Sequence, residues 1–143
     1  MKKHLLPLLV TVIVATQGCL ATTPSEIRAL GVRGQAEINQ PYTQAASCLL
    51  GQIDKKENRS ISRSRVINHT LKIDQEGEKA EIIANPIIGD ESTGYESVGG
   101  IYVLSINPSG PNSSIVEIYV SNNMIFRGAI TDSIKKAASN CNH

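Results

Sequence analysis

Four stretches between residues 66 and 121 place apolar side chains at every second position, and flanking stretches place them every three or four. That change of period constrains the fold more than any other feature. A period of two suits a strand with one buried face, and a period near 3.6 suits a helix. In the first stretch Ile67, His69, Leu71 and Ile73 share one face, while Asn68, Thr70, Lys72 and Asp74 share the other. Gln75-Glu76-Gly77-Glu78 turns the chain and Ala80, Ile82 and Ala84 continue a second strand, so the pair reads as a hairpin. Tyr102, Leu104 and Ile106 mark a third strand over 101–106; Val116, Ile118 and Val120 mark a fourth over 114–121. Between them, residues 107–112 (Asn-Pro-Ser-Gly-Pro-Asn) carry turn chemistry. Before the strands, Tyr42, Ala45, Ala46, Leu49, Leu50 and Ile53 form the stripe of a helix over 40–53, with Asn39 as its N-cap and Pro41 in its first turn. After them, Ile130, Ile134, Ala137, Ala138 and Cys141 predict a helix over 126–140. Helix, two hairpins, helix predicts an α+β fold. It is a two-layer sandwich, with a four-stranded antiparallel sheet covered on one face by an N-terminal and a C-terminal helix.

The first residues obey a different grammar. Lys2 and Lys3 precede an apolar run over 5–15, and Gly18 stands directly before Cys19. The run is well short of the roughly 20 residues that span a bilayer, so it reads as the core of a secretory signal peptide over 1–18. Gly18-Cys19 resembles the lipobox of bacterial lipoprotein precursors, although Thr16 and Gln17 differ from the residues usual there. The resemblance implies acylation of Cys19 and insertion of its acyl chains into a lipid bilayer. Leu20, in place of the aspartate that retains such proteins at the inner membrane, implies the outer membrane, facing the periplasm. The alternative is ordinary cleavage after Ala21, which makes the protein a soluble periplasmic or secreted domain. Residues 19–38 lack a sustained period and read as the lipidated N-terminus and a tether, leaving 39–143 as a single domain.

An odd number of cysteines in an exported chain calls for an explanation. Acylation uses Cys19 and leaves Cys48 and Cys141 to form a disulfide. Closing so long a loop is worth roughly 4–5 kcal/mol in the chain-entropy model.

Charge and aromatic content exclude some functions. The chain has 14 Lys and Arg against 13 Asp and Glu, and the signal peptide removes Lys2 and Lys3. A near-neutral chain with one Phe, four Tyr and no Trp lacks the basic patch and stacking platforms of a nucleic-acid binder. His69 is the one histidine within the predicted core, since His4 leaves with the signal peptide and His143 is terminal. One histidine makes a zinc site improbable, no serine sits in a nucleophile elbow, and a hydrogen-bonded strand histidine is the reading preferred over a hydrolase base. No metal, cofactor or catalytic set is therefore predicted. Lys55, Lys56, Arg59, Arg63 and Arg65 crowd a serine-rich segment over 55–65 read as a loop, and Asp90, Glu91 and Glu96 flank glycines in an irregular segment over 85–100. Both are candidate partner-binding elements. The functional expectation is a membrane-tethered, non-enzymatic binding or accessory lipoprotein that serves an envelope protein partner. The alternative is a small periplasmic inhibitor of an incoming enzyme such as a lysozyme or protease, with the 86–100 loop as its insertion element.

Overall fold

The structure, a computed structural model, describes residues 23–60, 66–88, 96–97, 101–122, 124 and 127–143. Its elements in chain order are α1 (Pro24–Ala29), β1 (Gly34–Ile38), α2 (Tyr42–Ser60), β2 (Val66–Asp74), β3 (Lys79–Ile88), β4 (Glu96–Ser97), β5 (Tyr102–Gly110), β6 (Ser113–Val120) and α3 (Arg127–Ser139), followed by a 3-10 turn over Asn140–Asn142. The sheet is antiparallel with order β1-β6-β5-β3-β2, and the two-residue β4 pairs with the far end of β3. The chain is thus α+β, with an antiparallel sheet and helices. Among the described residues the sheet has five long strands rather than four, and there are three helices rather than two.

The additional strand and helix come from the segment predicted to be tether. Ala36 and Ile38 of β1 turn toward the core while Gln35 and Glu37 turn out, and the strand adds to the sheet edge from Gly34 opposite Ile118 to Ile38 opposite Ser114. α1 begins with a capping box. Thr23 Oγ1 accepts from the Glu26 N–H at 3.3 Å, and the Glu26 carboxylate accepts from the Thr23 N–H at 2.9 Å. Pro24 occupies the first turn, where its missing N–H is no loss.

α2 and α3 cover one face of the sheet. Ala45, Ala46, Leu49 and Ile53 of α2, with Ile134, Ala137 and Ala138 of α3, pack on Ile82, Leu104, Val116 and Ile118. The other face is not simply wet. α1 sets Ile27, fully buried, against Ile83 and Val103, with Leu30 and Tyr119 at the margin, and Arg28 pairs with Glu81 at 2.6 Å. A small third layer therefore lies opposite the two long helices.

Several boundaries also move. α2 starts at Tyr42, with the Ala45 N–H bonded to the Pro41 carbonyl, and it continues through residues 55–60 of the predicted basic loop. β3 runs through Asn85 to Ile88, and β5 runs past Asn107 to Gly110. Both extensions contain a proline where the strand has lost one neighbour. Pro86 falls between the β5 pairing that ends at Ala84 and the β4 pairing that begins at Ile87. Pro108 lies beyond Ile106, the last β5 residue paired with β3.

Cys48 and Cys141 are bonded, with Cα atoms 6.0 Å apart, joining α2 to the turn after α3. Hydrogen bonds complete that junction. Asn142 Oδ1 accepts from the Asn39 N–H at 2.7 Å, Asn142 Nδ2 donates to the Glu37 carbonyl at 3.1 Å, and Gln40 Nε2 donates to the Cys141 carbonyl at 2.8 Å.

Candidate functional site: the His69 relay and the adjoining cleft

His69 lies on the core face of β2, one position from Leu71 and Ile67 in the same row, and its side chain is only 3% exposed. A ring so enclosed must find partners for its nitrogens. Nδ1 lies 2.8 Å from Asp54 Oδ1, and Nε2 lies 2.7 Å from the Tyr102 hydroxyl. A carboxylate only accepts, so Nδ1 carries the proton. In the neutral ring Nε2 then accepts from the tyrosine. Asp54 follows Ile53 on α2 and is half exposed, whereas Tyr102 opens β5 and is buried. The three groups form a relay from solvent to the interior.

The interior end of that relay is the wall of a cleft of about 280 Å³, partly open to solvent. Ile53 of α2, Ile67 of β2, Ile101 and Tyr102 line one side; Ala129, Ile130, Ser133, Ile134 and Ala137 of α3 line the other, with Met124 at the approach to α3. The two helices on either side of the cleft seat on different strands. α3 rests chiefly on β1 and β6, while α2 rests on β3, β2 and β5. On the cleft side α3 presents Ala129, Ser133 and Ala137 beside Ile130 and Ile134.

The charged residues singled out in the sequence are spread over several elements or lie outside the described residues. Lys55 is exposed on α2, and Lys56 and Arg59 lie on the last turns of that helix. Glu96 belongs to β4. Cys19, Arg63, Arg65, Asp90 and Glu91 lie outside the described residues, as does most of the 86–100 loop. Among the described residues no group of three or more His, Cys, Asp or Glu is placed to hold a metal ion, and no helix is long and apolar enough to cross a membrane.

Sequence reasoning found His69 and missed both of its partners. A histidine in an apolar row signals that partners exist. Which residue of α2 lies over β2 depends on how the helix seats on the sheet, and no local pattern encodes that.

No protein-family model matches the chain, and no curated protein matches it. Among solved structures it is similar to the human StarD13 (DLC2) lipid transfer and protein localization domain, at 12% identity and a TM-score of 0.40, over 76% of this chain and 75% of that one. A similarity of that size identifies neither a family nor a ligand.

Proposed function

We propose that the chain is the precursor of an exported lipoprotein whose domain acts by binding. It is held at the outer membrane through an acylated Cys19 and faces the periplasm as an accessory subunit of an envelope assembly. The observation that carries this reading is the Cys48–Cys141 bond. It takes two of the three cysteines and leaves Cys19, directly after Gly18, for the lipid. Structural disulfides persist in oxidising compartments, which supports export. The His69 ring is engaged at both nitrogens inside the fold, and that supports a structural role for it over a catalytic one.

The test is the intact mass of the protein taken from the membrane fraction of its host, with and without reductant. A species starting at Cys19, bearing two or three acyl chains and gaining two hydrogens on reduction, is the expected result. An unacylated mass starting at Thr22 overturns the anchor.

A further inference from the structure

We propose that the cleft beneath α3 is a binding site for a small, uncharged, hydrocarbon-rich molecule. The inference rests on the domain acting by binding and not on the acylation of Cys19.

Three observations carry it. The first is the lining. Of the described side chains around the cleft only Tyr102 and Ser133 are polar, and none is charged at neutral pH. A charged ligand entering there would give up hydration with nothing ionic to replace it, so the occupant is uncharged. The second is size. An apolar void of about 150 Å³ holds a benzene ring, so by proportion the 280 Å³ here suits a body of about ten non-hydrogen atoms. The third is the poverty of the alternatives. The cleft opens to solvent, so water is the alternative occupant, and a water held in a site needs two to four polar partners, which aliphatic walls do not supply. A hydrocarbon body displaces that water and gives Ile67, Ile130 and Ile134 dispersion contacts along the wall.

Naphthalene and its 2-carboxylate are the probes, one ring system with and without a charge. They are added at free concentrations set by dialysis to the mature full-length protein, soluble or reconstituted in nanodiscs according to its mass. The readout is the isoleucine methyl spectrum. Naphthalene is expected to shift the methyls of Ile53, Ile67, Ile130 and Ile134 saturably and to leave Ile27 and Ile115, on the opposite side of the sheet, in place. The carboxylate is expected to bind at least tenfold more weakly. Ala129→Trp, at an exposed position on the cleft wall, should weaken naphthalene binding at least tenfold. Lys136→Trp, exposed on the same helix outside the lining, should not. The proposal is overturned by the absence of saturable shifts up to the solubility limit, by equal binding of the carboxylate, or by unchanged binding in a folded Ala129→Trp protein. Loss of the acyl chains in the mass measurement alters none of these outcomes, so a failed anchor and a failed site are distinguishable.

Discussion

Tyr119 sits on the α1 side of the sheet, half-buried beside Ile27, and its hydroxyl donates to Glu117 Oε2 at 2.8 Å. Burial pushes its pKa above the ordinary tyrosine value. The hydrogen bond and negative charge of Glu117 add to that rise, and the positive charge of Arg28 partly opposes it. A group whose folded pKa is raised keeps its proton longer in the folded chain than in the unfolded one. Its stabilising effect is therefore complete below the unfolded pKa of about 10 and is lost as pH rises through the folded value. Urea midpoints measured between about pH 9 and pH 11 should fall for the native protein and fall less steeply for Tyr119→Phe. Parallel slopes in the two proteins would remove Tyr119 as the cause. The same scale explains why His69 could be read and its relay could not. A residue's own row on a strand is a local property, whereas Asp54 and Tyr102 reach it across two other elements.

Packing between elements turns on one close approach, where α3 crosses β1. A Cβ built on Gly34 would lie 2.7 Å from Thr131 Cγ2 and 3.0 Å from Lys135 Cε. The lysine can swing away; the threonine methyl, buried in the helix interface, cannot. Replacing a glycine in a strand ordinarily helps, because the unfolded chain loses freedom. Here the clash should dominate, and Gly34→Ala is expected to destabilise by about 1–3 kcal/mol. Thr131→Ser removes the obstructing methyl and keeps the hydroxyl that donates to the Arg127 carbonyl at 3.0 Å. In the Gly34→Ala background it should therefore raise the melting temperature, although alone it lowers it. A double variant no more stable than Gly34→Ala would show that the helix is not held off by that methyl. This junction also marks where the sequence stops being legible. The alternation that marks the inner rows of β2, β3, β5 and β6 also conceals the outer layer, because a period of two points to one apolar face only. Ile82-Ile83 and Tyr102-Val103-Leu104 are consecutive apolar runs, the mark of strands buried on both sides. Thr23, Pro24 and Glu26 spell a capping box too short in its helix to show a period, so α1 went unread. β1, with glycine first and charge within, offers little β propensity and forms because β6 has an edge to fill.

At the scale of the molecule, the structured N-terminal segment changes how an acylated Cys19 would hold the domain. A tether over 19–38 would let the domain roam. With the α1 cap at Thr23, only Leu20, Ala21 and Thr22 separate it from Cys19. Four Cα steps of at most about 3.8 Å bring Thr23 within roughly 15 Å of the acylated residue. Given the anchor, the end of the molecule carrying Thr23 is therefore pinned near the headgroups. α1 lies on one side of the sheet and α2 on the other, so with layers spaced about 10 Å apart, the α2–α3 layer and its cleft should face away from the bilayer. Fluorescent labels at exposed Ser25 of α1 and exposed Gln44 of α2 report this in vesicles with headgroup acceptors. Energy transfer should be stronger from residue 25. A flexible Gly/Ser insert of about 20 residues between Thr22 and Thr23 should lower transfer from both sites and narrow the gap between them, because such a chain spreads over tens of ångströms. Equal transfer from the two sites, in protein whose mass carries the acyl chains, would mean that the domain lies on its side. The cleft would then open along the membrane surface, where an apolar ligand could be drawn from the bilayer itself.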